Sequence, residues 1–301
     1  MPILSHTRVS ERTWLLTFDD DISIMFIAGN RHSILCDTHL GPASMHEALQ
    51  FLGSLSNPNT LFIFNSHADW DHIWGNCAFP DSIIAAHTTC RERMKETGLS
   101  DLSRYHTHTR GSVRILLPNL TFDHLLCLEE DNVEFWYAPG HTIDSSVCFD
   151  RLGQILYVGD LIEDPIPYIH YDRIDVYIKT LESLLTSPAH ILVSAHSGIV
   201  SRERIMSNIA YLNALKEEAP IDTSTLGSYT KVHQANLNTL VMFRYEAMVR
   251  DILKEQYAPE VFWSLIPEPE TIDQKSVEQI MQSYLKMIQK ENSRELIHDR
   301  L

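Results

Sequence analysis

The sequence predicts an α/β fold. Short β-rich runs alternate with helical stretches through the first two hundred residues. Several of those runs are apolar and brief enough to be buried strands, and no internal repeat or low-complexity segment competes with that reading. Candidate strands are Thr13–Thr17, Ile22–Ile27, Ser33–Cys36, Leu61–Asn65, Ser82–Ala86, Val133–Ala138, Ser146–Phe149, Gln154–Val158 and Ile191–Ser194. Helices are expected at Met45–Leu52, Thr89–Thr97, Val176–Leu185 and Arg202–Lys216.

The composition changes near Glu218. Ala219-Pro220 and the polar run Asp222–Thr225 read as a connection. This divides the chain into a domain over 1–218 and a helical extension over 219–301, with helices around Lys231–Gln256 and Lys275–Asn292 separated by the turn-rich Ile266-Pro267-Glu268-Pro269. Leu237, Leu240, Val241, Met248 and Ile252 recur at helical spacing and are expected to form the apolar face of the first. The extension reads either as a helical pair packed on the domain or as a cap that limits which substrates enter.

At 44% hydrophobic and 21% charged, the chain has the composition of a folded globular protein rather than a disordered one. A formal net charge of −16 argues against nucleic acid or anionic membrane as partners, since both are polyanions. The remaining partner class is a small-molecule substrate, with a homodimer left open. Cys36, Cys77, Cys90, Cys127 and Cys148 form no C-x-x-C pair, and an odd, dispersed set argues against a disulfide framework. The N-terminal residues contain no apolar run of signal-peptide length, and a cytoplasmic location is expected.

Sixteen histidines are many for 301 residues, so their placement matters. The segment NSHADWDHIWGN puts His67, Asp69, Asp71 and His72 within six residues, directly after the expected strand Leu61–Asn65. Side chains at a strand's C-terminal end can converge on one point, and imidazole with carboxylate is the donor set of divalent zinc, iron or manganese. Three further segments repeat the pattern of a strand followed by such a residue: His141 in EFWYAPGH, Asp160 in QILYVGD and His196 in HILVSAH. Taken singly, each is more often an N-cap, turn or ordinary polar loop residue than a ligand, but four such strand ends in one chain point to a shared site.

Other candidates read as ordinary structure. His106 and His108 are expected in an exposed loop, and His87 at the start of a helix. His124, His190 and His233 are expected at the surface or in the core. Trp70 and Trp74 flank the histidine-rich loop as packing residues, Trp70 being also a possible pocket wall; Tyr168 and His170 are weaker pocket candidates.

Taken together, the series resembles the metallo-β-lactamase superfamily. Its signature is H-x-H-x-D-H, then a His in a GH[ST] turn, an Asp in a GD pair and a final His in a GH pair. The corresponding residues here are His67 to His72, Gly140-His141-Thr142, Gly159-Asp160 and Ala195-His196, and the match spans about residues 10–215. The resemblance implies an αββα sandwich, two mixed β-sheets flanked by helices, carrying the helical C-terminal extension. It also implies two divalent metal ions, zinc first and iron or manganese as alternatives. Site one would take His67, residue 69 and His141; site two would take Asp71, His72 and His196; Asp160 would bridge them. Asp37 in ILCDTHLG resembles the family's early Asp, which supports the metal loop.

Two departures stand out. The second His of the motif is Asp69, a harder, anionic donor. It either ligates or, as a short side chain, leaves site one weak. The final His follows Ala195 rather than Gly. By resemblance the activity is hydrolysis of an ester, thioester, lactone or phosphoester by a metal-bridged hydroxide, with Asp71 as the catalytic carboxylate. The alternatives are an iron-dependent oxidoreductase or dioxygenase of the same fold and a regulatory binding protein with a retained metal site.

Overall fold

The computed structural model describes residues 5–55, 59–258, 262–263 and 272–298. Two sheets form its centre. The first has seven strands in sequence order: β1 (Ser5–Arg8), β2 (Thr13–Thr17), β3 (Ser23–Ala28), β4 (His32–Cys36), β5 (Thr60–Asn65), β6 (Ile83–His87) and β7 (Leu120–Phe122). The second has six: β8 (Leu125–Leu128), β9 (Val133–Tyr137), β10 (Ser146–Asp150), β11 (Ile155–Tyr157), β12 (Ile191–Ser194) and β13 (Gly198–Val200), again in sequence order. Both sheets are mixed: β4, β5, β6 and β7 pair in parallel, as do β11 and β12, while the remaining pairs are antiparallel. The helices are α1 (Pro42–Ser54), α2 (Trp70–Ile73), α3 (Thr88–Arg104), α4 (Ile174–Leu185), α5 (Arg202–Lys216), α6 (Thr230–Leu253) and α7 (Gln274–His298).

The period of two along each strand divides the core. Phe62, Phe64, Ile34, Cys36, Met25 and Ile27 face the second sheet, where they meet Val133, Phe135, Cys148, Ile155, Tyr157 and Val193. Their neighbours Ile63, Leu35, Ile24 and Phe26 face the other way and pack with Met45, Ala48 and Leu52 of α1. The two sheets are also joined by polar contacts: the Ser23 N–H donates to the Ala195 carbonyl at 2.7 Å, and the Ser146 N–H to the Ser66 carbonyl at 2.8 Å. Because β9, β11 and β12 run in one direction, and β4 with β5 in theirs, the loops that follow these strands gather at the sheets' common edge.

The nine expected strands all form, shifted by at most one or two residues at their ends. The four unexpected ones, β1, β7, β8 and β13, are only three or four residues long, too short for a strand's alternation to show. The segment read as a loop at 65–76 instead contains α2 and a 3₁₀ turn over Trp74–Ala78. Asn65 and Asn76, its first and last residues, exchange amide hydrogen bonds of 3.0 and 2.8 Å and close the loop at its base.

The chain separates into two compact units, Met1–Pro167 with Arg173–Ala219, and Tyr168–Asp172 with Pro220–Leu301. Tyr168 and His170 thus belong to the second unit. There α6 and α7 bury Val241, Met242, Val249, Val277, Met281, Leu285 and Ile288 around Phe262. Met248, expected on the apolar face of α6, points outward; the inward stripe runs through Ala235, Asn238, Thr239, Met242, Glu246 and Val249, at steps of three and four. The expected turn at Ile266–Pro269 lies outside the described residues. No helix among the described residues is long and apolar enough to cross a membrane.

Two features hold the edge loops in place. Gly75 lies so close to the loop after β4 that a Cβ there would stand 1.9 Å from the Thr38 carbonyl oxygen. Gly75→Ala should therefore lower the unfolding free energy by about 1–3 kcal/mol, the range for overpacking, measured by urea denaturation. His39 in that same loop is fully buried, stacked on Phe18; its Nε2 donates to Asp20 at 3.0 Å, and its Nδ1 lies 2.8 Å from the Ser44 hydroxyl. Burial lowers its pKa from the ordinary 6.5, overriding the opposing pull of Asp20. The unfolded chain then binds the extra proton first, so stability is full above 6.5 and falls as pH drops through it. With chelator present throughout, the unfolding free energy of the wild type should fall more steeply between about pH 7.5 and 5.5 than that of a His39→Gln variant.

Candidate metal centre

Asp37 follows β4 directly, in a left-handed conformation (φ 65°) that turns its carboxylate back under the loop after β5. It accepts four hydrogen bonds. Oδ1 takes the Ser66 N–H at 2.7 Å; Oδ2 takes the Ser66 hydroxyl at 2.7 Å, His72 Nδ1–H at 2.8 Å and the Tyr157 hydroxyl at 2.8 Å. A buried carboxylate can only accept, so His72 carries a proton on Nδ1 and turns Nε2 to the opposite side, the nitrogen that a cation would take in place of a second proton. Ser66 has given its only hydrogen to Asp37, so its oxygen, 2.9 Å from His67 Nδ1, accepts from that ring. His67 is thereby set in the same tautomer, also with Nε2 exposed to the centre.

Around those two nitrogens the other expected residues assemble. Asp160 follows β11 through Gly159, whose positive φ of 53° and close approach to the Ser66 side chain leave no room for a Cβ. Asp160 Oδ2 lies 3.7 Å from His67 Nε2, 3.2 Å from His72 Nε2, 3.7 Å from His141 Nε2 and 3.2 Å from His196 Nε2. On one side Asp69 Oδ2 stands 3.3 Å from His141 Nε2 and 3.6 Å from His67 Nε2. On the other, Asp71 Oδ2 stands 3.3 Å from His196 Nε2 and 3.7 Å from His72 Nε2. All seven expected residues thus meet at one place, in two lobes that share Asp160.

The donor set fits a pair of cations. Atoms about 2.0–2.2 Å from a tetrahedral centre stand about 3.3–3.6 Å from one another, close to the separations just given. His67 Nε2, His72 Nε2 and Asp160 Oδ1 are buried and make no hydrogen bond, an arrangement that a protein interior rarely leaves uncompensated. Three overlapping groups could each hold an ion: His67, Asp69 and His141; His67, His72 and Asp160; and Asp71, His72 and His196.

Charge inside the cluster alternates. Burial opposes ionisation of Asp160, but His196 and His72 overcome it and hold the carboxyl well below its usual range. His72 and His196 are pushed well above theirs, against the effect of burial, chiefly by Asp160 and with help from Asp71. Asp71, also opposed by burial, is lowered by His72 and then by His196. Exposure is uneven. The side chains of His67, His72 and His141 are 1–2% exposed, Asp69 and Asp71 15% and 14%, and His196 29%. His196 is the most exposed of the seven.

Neighbouring candidates have structural roles. His87 ends β6 and caps α3, accepting from the Thr89 N–H. His106 and His108 are exposed in a 3₁₀ turn, with His108 5.2 Å from the Trp70 ring. Trp70 stacks on Tyr105 and Trp74 is buried beneath it. Sequence reasoning missed Ser66, Tyr157, Arg93 and Asp144. Arg93 carries the clearest overlooked signal: it sits three residues after Cys90 and one before Met94, at the apolar face of α3, a costly place for an unpaired guanidinium.

Comparison with known proteins agrees with this architecture. The family model described as the metallo-beta-lactamase superfamily matches residues 18–196. The human acyl-coenzyme A thioesterase MBLAC2 is 25% identical over 187 residues, covering 54% of this chain and 67% of that protein. A putative transcription factor, avaE of Aspergillus versicolor, is 26% identical over 142 residues, covering 42% of this chain and 41% of that protein. Among solved structures, a metallo-beta-lactamase from Pontibacter korlensis superposes with a TM-score of 0.56 at 17% identity, covering 70% of this chain and 99% of that one. The DIM-1 metallo-beta-lactamase gives the same TM-score and identity, covering 71% and 99%. With a family match over more than half its length, two mixed sheets and a His/Asp cluster at their edge, this chain belongs to the metallo-β-lactamase superfamily.

Proposed function

We propose that the protein is a metal-dependent hydrolase with two divalent cations, held by His67, Asp69, His141 and Asp160 on one side and by Asp71, His72, His196 and Asp160 on the other. The observation that carries this reading is Asp160 Oδ2 at the centre of four imidazole nitrogens, two of them buried without a hydrogen bond. Bound there, a pair of divalent cations supplies Lewis acidity toward a carbonyl or phosphoryl oxygen and lowers the pKa of water toward neutrality.

The protein's own groups then have distinct tasks. Asp37 and Ser66 hold the His67 and His72 rings in the tautomer that leaves Nε2 free. Asp71 remains ionised and accepts the proton of the attacking water on its carboxylate. The His67 and His141 rings are sealed from bulk water, and a substrate approaches past His196, the most exposed of the seven. The substrate class is an ester, thioester, lactone or phosphoester. Similarity to an acyl-coenzyme A thioesterase supports trying thioesters first among these.

A second reading, an iron-dependent oxidoreductase, is favoured by one observation: Asp69 puts a carboxylate oxygen 3.3 Å from His141 where the family pattern has a neutral ring, a donor that suits iron or manganese as well as zinc.

Protein purified without added metal should contain two zinc per chain on the hydrolase reading, and iron with visible absorbance on the second. Chromogenic thioesters, esters and phosphodiesters should be cleaved, thioesters fastest, with loss of turnover on chelation; absence of cleavage across the panel would reject the hydrolase reading. Asp160→Ala should lose both metals and all turnover together. Retention of two equivalents by that variant would refute the bridging role.

A further inference from the structure

Arg93 reaches from the second turn of α3 to two carboxylates. Its Nη2 donates to Asp69 Oδ1 at 3.1 Å, and its Nη1 makes a short contact with Asp144 Oδ1. Asp144 is fully buried, and its other oxygen accepts the Ala68 N–H at 2.8 Å. Ala68 lies between His67 and Asp69. One guanidinium therefore ties together the side chain of residue 69 and the carboxylate that pins the backbone beside it. The two oxygens of Asp69 are divided as a result: Oδ1 is engaged by Arg93 from outside, while Oδ2 faces His141 and His67.

An imidazole at this position would need no such partner. A short carboxylate would, for two reasons. It adds a negative charge beside Asp160, Asp71 and the buried Asp144, and without a restraint it can rotate either oxygen, or neither, toward the centre. A guanidinium satisfies both needs, because it is permanently charged and offers two donors in a planar fork. Burial works against the Arg93 charge, yet Asp144 and then Asp69 more than offset it.

We propose that Arg93 is a positioning residue for the first cation site: it orients Asp69 as a one-oxygen ligand through Oδ2, and so adapts this centre to a carboxylate where the family pattern has histidine. The inference rests on the two-cation reading above and deepens it for one residue.

The test is zinc binding by the full-length protein, stripped with chelator and titrated against a chromophoric competitor. Arg93→Met should weaken one zinc equivalent by about 10–100-fold, the usual loss when the partner of a ligand is removed. The same change made on top of Asp69→His should alter affinity by less than about threefold, because no carboxylate is left to orient. An equal loss in both backgrounds would overturn the proposal and show that Arg93 acts only through Asp144 and the fold. Unchanged affinity in Arg93→Met alone would also overturn it. If the wild type binds no zinc or other divalent ion, the two-cation reading itself fails, a result distinct from either of these. Should Arg93→Met not fold by circular dichroism, Arg93→Lys, which keeps the charge and loses the fork, carries the same comparison with a smaller first loss.

Discussion

The Asp37 carboxylate organises this molecule. A charged group sealed from water is unfavourable unless its oxygens are occupied, and here every donor that occupies them comes from a different part of the machinery: Ser66 from the loop after β5, His72 from α2, Tyr157 from the opposite sheet. Local backbone strain at Asp37 and His39, both at positive φ, is the accompanying cost. Two of the four imidazoles owe their orientation to this one residue, directly for His72 and through Ser66 for His67. The remaining loops of the cluster come from the second sheet and are brought into register by the contacts between the sheets.

Around that anchor, two kinds of carboxylate divide the work. Asp37 and Asp144 face inward and accept hydrogen bonds from backbone and side chains of the His67–His72 loop. Asp69, Asp71 and Asp160 face the centre and lie against imidazole nitrogens. The separation explains how so many acids coexist in a small volume. Each inward group has protein donors, and each centre-facing group has rings that carry compensating charge or would share a cation with it.

Much of this was legible in the residues alone. Strands such as β5 and β12 announce themselves because burial on both faces requires continuous apolar runs, and the histidines and aspartates that follow them are too concentrated for ordinary turns. What the residues do not reveal is set by tertiary contacts. β8, Leu125–Leu128, is apolar throughout but only four residues long, too short for a strand's alternation to show, and it is its pairing with β9 that makes it a strand. The inward face of α6 includes Asn238, Thr239 and Glu246, polar groups that a search for apolar periodicity passes over in favour of Met248. Asp69 was visible as a departure from the family pattern, but its partner lies 24 residues later on another helix, at a spacing no local motif encodes. Tyr157 likewise reads as one more aromatic in a strand until the fold brings its hydroxyl to Asp37 from 120 residues away.

The position of the cluster on the seam between the sheets has a mechanical consequence. His67, Asp69, Asp71 and His72 travel with one sheet, His141, Asp160 and His196 with the other, and a metal held between them would tolerate errors of only about 0.2 Å. The aromatic layer of Phe62, Phe64 and Phe135, with ring centroids 5.6 and 4.7 Å apart, therefore acts as a spacer gauge. A trimmed ring there lets one slab slide or settle against its counterpart. The earliest sign of such damage would be detuned chemistry at the rim, well before the molecule as a whole came apart.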